Sequence, residues 1–309
     1  GMPHSYNGIL LLDKPCGMSS NRALQQVRRL FGNAKAGYAG TLDPLASGLL
    51  PICIGEATKF ISFFSDSSKS YESTVRLGYR STTGDAEGDL SQTNLTPIDD
   101  AGLDTAVTLF TGDSDQLPPM HSAIKVDGKP LYKLARQGKT IPRAKRRITI
   151  HSLSIVKKAD DVLNLFVSCS KGTYIRVLAE DIALSLGTDG YLTSLRRTGL
   201  GDISISEGIT MERIEEEELC FRPKLLKDID FSLSHLPRIS LMPNLERGFT
   251  NGVETEIPYS ECAAGAVSVY THDEIFVGLG DLTDTGLLKA KRLMSQEYIE
   301  SARNTTIVN

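Results

Sequence analysis

The sequence predicts a mixed α/β body with a small all-β barrel appended at its C-terminal end. Three observations carry this reading. Strand-sized apolar runs alternate with helix-spaced apolar positions through roughly the first 200 residues. The last 70 or so residues hold short β-patterned runs parted by Asp, Thr and Gly turns. Between the two lies a glutamate-rich stretch and a segment from Pro223 to Pro237 that reads as a connector. A length of 309 residues is consistent with about two domains, and the boundary is placed between a body of residues 1–237 and a tail of residues 238–309.

Ile9–Leu12 is apolar throughout and reads as a buried strand, stopped by Lys14, Pro15 and Gly17. Ser19 or Ser20 can cap a helix running to about Phe31, with Leu24, Val27, Leu30 and Phe31 on one face. Gly37, Gly40, Gly48 and Pro44 make 37–48 a loop with specific backbone demands. Alternation makes a strand of Tyr71–Gly78 and a polar turn of Ser81–Asp89. Ile148–Val156 and Leu163–Cys169 alternate and are expected to pair. Ile175, Leu178, Ala179, Ile182 and Leu186 have helical spacing, and Gly187 offers a C-terminal stop. In the tail, Val267–Tyr270, Ile275–Leu279 and Leu287–Ala290 read as short strands.

Composition excludes several classes. Apolar residues make up 40% and charged residues 23%, so the chain can bury a core. No apolar run approaches the roughly 18 residues of a membrane span, and the N-terminus lacks a secretory layout. The five cysteines are odd in number and never spaced as CxxC, which argues against a disulfide framework and a zinc site and fits a reducing cytoplasm. Neither GxxxxGK[ST] nor GxGxxG occurs, so nucleotide and dinucleotide chemistry have no support. No metal and no cofactor are expected.

The net charge of −4 hides a strong asymmetry. Between Lys125 and Arg147 nine basic residues, Arg136 and Arg143 among them, face only Asp127, a local balance of +8. Between Glu207 and Glu218 six glutamates face only Arg213, a balance of −5. Phosphate binding follows the local field, so the basic stripe is a candidate polyanion contact; a plain solvated surface is the other reading.

Four segments can carry chemistry. In GTLDP, Asp43 precedes Pro44, which removes an N–H and steers Asp43 away from helical backbone. Such a carboxylate can be a nucleophile, a general base or a metal ligand, or merely start a turn. In CSKGTYIR, 169–176, a strand-to-helix junction offers free N–H groups near Lys171, and Arg176 sits in the first helical turn, where it opposes the macrodipole and either serves an anionic partner or is a plain surface arginine. Tyr71 heads a strand beside basic residues and can stack on a base or simply pack. Lys14, ending the first strand, can meet phosphate or pair with Asp13.

Taken together and in this order, GILLLDKPCGMSSN (8–21), GYAGTLDPLASGLLPICIGEATKF (37–60), YESTVRLGYRSTTGDAEG (71–88), QLPPMHSAIKVDGKPLYKLARQG (116–138), CSKGTYIR (169–176) and LRRTGLG (195–201) closely resemble the bacterial tRNA pseudouridine-55 synthase (TruB) family. FVGLGDLTDTGLLKAKRL (276–293) more weakly resembles the PUA domain such enzymes carry. The resemblance implies a pseudouridine synthase catalytic domain built on a central mixed or antiparallel sheet, followed by a PUA-type RNA-binding module. It also implies isomerisation of the T-loop uridine of tRNA, a reaction that needs no redox change and no energy source. By the motif match Asp43 is the catalytic carboxylate, Arg176 its ionic partner, and Tyr71 the ring that stacks on the target base and assists proton transfer from C5. Leu195 packs beside that base, Lys14 and Pro15 support the pocket loop, and Tyr38 and Tyr174 contact RNA. Lys125, Arg136 and Arg143 fall in the stripe assigned to the tRNA backbone.

The chain departs from the pattern at three places. Tyr38-Ala39 stands where the family has His-Thr, His121 stands where it has Tyr, and Ala290 stands where a proline is common. The expected partner is the tRNA T stem-loop, with no membrane and no obligate protein partner, and the enzyme is expected to be monomeric and cytoplasmic. An RNA-guided, dyskerin-type subunit and a non-catalytic tRNA-binding factor are the rival readings.

Overall fold

Strands that must be buried on both faces sit at the centre of the body. A computed structural model describes residues 6–119, 125–126, 129–130, 143–258 and 262–308, without the side chains of 125–126, 129–130 and 306–308. Among the described residues ten strands form the main sheet. They are β1 (Gly8–Lys14), β2 (Ala36–Tyr38), β3 (Ala46–Ile54), β4 (Lys69–Leu77), β5 (Gly112–Gln116), β6 (Arg146–Ala159), β7 (Val162–Cys169), β8 (Gly190–Leu200), β9 (Ile203–Ser204) and β10 (Ile209–Thr210). The order is β10-β1-β3-β8-β4-β7-β6-β5, with β2 on β3 and β9 on β8. The sheet is mixed: β3 and β8 run parallel, whereas β8, β4, β7 and β6 are successively antiparallel. The unbroken apolar runs of β1 and β3 are buried almost throughout, while the alternating β4 buries Ser73, Val75 and Leu77 on one face.

Helix α1 (Ser20–Leu30) is capped by Ser19, whose hydroxyl accepts from the Arg22 N–H at 3.1 Å. It buries Ala23, Leu24 and Val27 against Leu10, Leu12, Leu50 and Ile52. Helices α2 (Asp100–Phe110) and α3 (Ile175–Ser185) cover the inner face of β4, β7 and β6. Helix α2 and strands β5 and β8 are absent from the sequence expectation. The expected loop at 37–48 is shorter than predicted, since β2 and β3 claim its two ends.

The tail forms a second sheet of five strands, β11 (Arg238–Ser240), β12 (Thr255–Glu256), β13 (Gly265–Tyr270), β14 (Phe276–Leu282) and β15 (Leu287–Leu293), in the order β11-β13-β14-β15-β12. This corrects the expectation of a barrel. Among the described residues the terminal strands are only three and two residues long and do not pair with each other, so the curled sheet stays open. Helices α4 (Pro243–Thr250) and α5 (Gln296–Val308) flank it, and both are absent from the sequence expectation. Ile9, Leu11, Leu49 and Phe60 of the body share one core with Val267, Tyr270 and Phe276 of the tail. Glu56 accepts from the Ser295 N–H at 2.7 Å and from its hydroxyl at 2.5 Å, and Lys59 donates to the Leu293 carbonyl at 2.8 Å. Among the described residues no helix is long and apolar enough to cross a membrane.

Candidate active site

Asp43 lies in the turn that feeds β3, and that turn is held at nearly every carbonyl. Arg197 donates to the Gly40 carbonyl at 2.8 Å. The buried Ser20 hydroxyl donates to the Leu42 carbonyl at 2.6 Å and accepts from the Leu42 N–H at 2.8 Å. The Asp43 carbonyl takes the Ala46 N–H at 2.9 Å, and the Pro44 carbonyl takes the Gly17 N–H at 2.7 Å. The Cys16 thiol reaches the Leu45 carbonyl at 3.2 Å. The backbone is therefore fixed from β1, α1 and β8 at once, while 63% of the Asp43 side chain remains exposed. A carboxylate presented to solvent from a pinned loop is pre-organised for a reactant.

Strand β8 supplies the floor. Leu195, Arg196 and Arg197 pair in parallel with Ala46, Ser47 and Gly48 on one side, and in antiparallel with Ser73, Glu72 and Tyr71 on the other. A Cβ on Gly48, which has φ +103°, would lie 2.2 Å from the Arg197 carbonyl oxygen, so only glycine lets the strands meet here. Successive strand residues point to opposite faces. Arg196 turns outward to a two-pronged pair with Asp13, both contacts at 2.9 Å. Arg197 turns inward, 1% exposed, and donates to the Leu49 carbonyl at 2.8 Å. Tyr71 is its direct partner across the strand pair, so the two side chains share a face of the sheet. Burial pushes the Tyr71 phenol above its ordinary value; Arg197 pulls the other way, and Asp43 adds to the rise.

Arg176 stands between two carboxylates. Its Nη2 lies 3.9 Å from Asp43 Oδ2 and its Nη1 3.4 Å from Asp85 Oδ2. The arginine side chain is 14% exposed and Asp85 only 5%, so Asp85 is both the nearer and the more buried partner. Asp85 is fixed in turn by the Thr83 hydroxyl at 2.7 Å and the Glu87 N–H at 3.0 Å. Gly84, at φ +82°, brings this turn against α3, where a Cβ would meet Glu180 Oε1 at 2.2 Å. Burial pushes the Glu180 carboxyl above its ordinary value; Asp181 and Asp85 add to the rise and Arg176 opposes it. The start of α3 is set by a reciprocal clamp, in which the Tyr174 N–H donates to Gln116 Oε1 at 2.8 Å and Gln116 Nε2 donates to the Tyr174 carbonyl at 3.0 Å.

Of the sequence-predicted residues, Asp43, Tyr71, Arg176 and Leu195 converge on this region. Lys14 is buried, and its ammonium donates to the Pro15 and Met18 carbonyls at 2.8 and 2.6 Å, which shapes the turn packed on the Asp43 loop. Asp13 pairs with Arg196 instead. Burial lowers the Lys14 pKa, against the pull of Cys16 and Asp43. Pro15 is exposed on that turn, and Tyr38 is half-buried against the core under α1. The anion site expected near Lys171 is not what the structure shows: Lys171 Nζ is 2.6 Å from the Asp66 carboxylate. Arg143 Nε donates to the Pro118 carbonyl. Arg136 and His121, and the side chain of Lys125, lie outside the described residues. Among the described residues one trio of ligand-type side chains comes together, Glu246, His272 and Asp273, and Arg303 already pairs with both carboxylates at 2.8 and 3.0 Å. The residues missed from sequence are Ser20 as a loop anchor, Asp85 and Arg197.

This mixed sheet, with an exposed aspartate on a turn between its central strands, has the fold of the pseudouridine synthases. The chain aligns with one from a Cbf5-Nop10-Gar1 complex at TM-score 0.71 and 22% identity, covering 96% of this chain and 88% of that one. It is also similar to a chain of an archaeal box H/ACA sRNP Nop10-Cbf5 complex, at TM-score 0.70, 19% identity, and coverage of 97% and 92%. Residues 28–175 match the N-terminal domain of TruB family pseudouridylate synthase, and residues 237–294 match the C-terminal domain of pseudouridine synthase II TruB. The tRNA pseudouridine synthase B of Aromatoleum aromaticum is 46% identical over 292 residues, spanning 94% of this chain and 93% of that protein. That of an Azoarcus species is 44% identical over 291 residues, spanning 94% and 96%. The chain belongs to the TruB family.

Proposed function

We infer that this chain is a tRNA pseudouridine synthase that isomerises the T-loop uridine, with Asp43 as the carboxylate at the reacting centre. The observation that carries the reading is an aspartate held out from a fully anchored loop toward Arg176. The base must leave C1′ through N1 and return through C5. A carboxylate beside an anomeric carbon can stabilise the oxocarbenium-like state or bond to it, as in glycosidases. Arg176, braced by Asp85, orients the Asp43 carboxylate. Tyr71 stacks on the base and assists proton transfer from C5, and Leu195 packs at the base edge.

Reaching the uridine requires its extrusion, at a cost of a few kcal/mol, and the Tyr38 ring stacks in place of the lost neighbours. Tyr174, Pro15 and the stripe carrying Lys125, Arg136 and Arg143 supply backbone contacts. Residues 238–309 act as a PUA-like RNA-binding module on a body of residues 1–237. The enzyme works as a cytoplasmic monomer with neither metal nor cofactor. The test is pseudouridine content at the T-loop uridine of an unmodified transcript incubated with the protein alone. Wild type should modify it, and Asp43→Asn should bind the RNA without turnover. Turnover by Asp43→Asn would remove Asp43 from the mechanism. Binding by wild type without modification would favour the binding-factor or RNA-guided readings.

A further inference from the structure

A guanidinium that is 1% exposed is costly to bury, and what Arg197 does with its donors is informative. Nε goes to the Leu49 carbonyl and Nη2 to the Gly40 carbonyl, both at 2.8 Å. Those two carbonyls flank the Asp43 turn, three residues before it and six after. One rigid planar fork thus spans the base of the loop, a geometry the single ammonium of a lysine cannot copy. Tyr71 is the direct cross-strand partner of Arg197, on the same face of the sheet, so the buried side chain packs beside its ring. A register shift between Arg197 and Gly199 breaks the ladder at this point, as bulges do where a side chain is re-aimed.

We propose that Arg197 is a positioning residue for the isomerisation, locking the Tyr71 ring and the Asp43 loop into one unit so that their separation is kept while the base detaches and rejoins. It acts through Tyr71 and Asp43 and, being buried, does not touch RNA. The inference rests on the functional reading above.

The experiment compares wild type, Arg197→Met and Arg197→Lys, using an unmodified tRNA transcript. Single-turnover rates are measured at saturating enzyme, tRNA affinity by filter binding, and folding by denaturant titration. Arg197→Met should lose about 100-fold in rate, the scale of an ångström-level misplacement, with tRNA affinity unchanged. Arg197→Lys should recover about tenfold of that, because it returns the charge to Tyr71 but cannot bridge Gly40 and Leu49. A folded Arg197→Met turning over at the wild-type rate would overturn the proposal. So would a loss of tRNA affinity in step with the rate, since the residue would then shape the binding surface. Should Arg197→Met fail to fold, Arg197→Lys carries the test: a reduced rate at unchanged affinity supports the role, and a wild-type rate refutes it. Wild type that makes no pseudouridine would instead sink the functional reading itself.

Discussion

Ser20 offers a direct measure of how much the rigidity of the Asp43 loop matters. Its hydroxyl is buried and makes two bonds to one residue, donating to the Leu42 carbonyl at 2.6 Å and accepting from the Leu42 N–H at 2.8 Å. Leu42 is itself buried and adjoins Asp43. Ser20→Ala removes both bonds and leaves a backbone donor and an acceptor without partners. At about 1 kcal/mol net for each bond, and more for a buried group left orphaned, the expected loss is roughly 2–3 kcal/mol. Part of it can be recovered only by letting the turn move, so the single-turnover rate should fall by about tenfold or more. Ser19→Ala is the control. It deletes the exposed cap of the same helix, bonded to Arg22 N–H at 3.1 Å, and should cost about 1 kcal/mol with no change in rate. Denaturant titration gives the stabilities, and pseudouridine formation at saturating enzyme gives the rates. If Ser20→Ala keeps the wild-type rate, or if the two variants slow the enzyme equally, the loop's fixed geometry is not what supports turnover.

Other consequences can be checked alongside. Asp85→Asn leaves Arg176 with the more distant Asp43 as its charged partner, at 3.9 Å; turnover should drop by about tenfold or more with tRNA affinity intact, measured as above. Affinity for tRNA should fall steeply as salt rises, because phosphate contacts release counterions, and a flat titration would remove the basic stripe from the interface. At the junction of body and tail, burial would raise the Glu56 carboxyl, but bonds from Ser295 and Lys59 outweigh it and hold the group below its ordinary 4.5. A depressed carboxylate stabilises the fold above its unfolded value and loses that contribution as pH falls through the folded one. Protection of the tail amides from hydrogen exchange should therefore weaken as pH drops below about 4.5, and Glu56→Gln should abolish that dependence.

What was legible in the sequence follows from where the information is local. The cap at Ser19, the helical spacing of 175–186 and the alternation of Leu163–Cys169 are short-range signals, and each element forms where expected. Helix α2 was missed because its sequence, DAGLDTAVTLF, mixes glycine and β-branched threonine and valine into a weak helical pattern; it forms on a cap in which the Gly102 N–H donates to the Asp99 carboxylate at 2.8 Å and on burial of Leu103 and Ala106. Strand β5, GDSDQ, has no apolar residue at all and is held by pairing with β6. The tail's failure to close into a barrel could not be read either, since closure is decided by whether two very short edge strands reach each other.

The site divides in the same way. Asp43 and Arg176 stand in motifs whose glycines and proline advertise special backbone, whereas Ser20, Asp85 and Arg197 act on chain segments 22, 91 and 157 residues away. Asp85 looks like one more acid of a polar turn, until the Thr83 hydroxyl and the Glu87 N–H are seen to fix it beneath Arg176. No strand is legible at 190–200 in the sequence; once β8 forms, the period-2 rule requires that one of its two adjacent arginines point inward. What it could not say is which one, because the pattern around them is interrupted by bulges at Leu192–Ser194 and Arg197–Gly199. A bulge shifts every later side chain to the opposite face, so the identity of the buried arginine, and with it the link between Tyr71 and the Asp43 loop, depends on a backbone irregularity that only the folded sheet reveals.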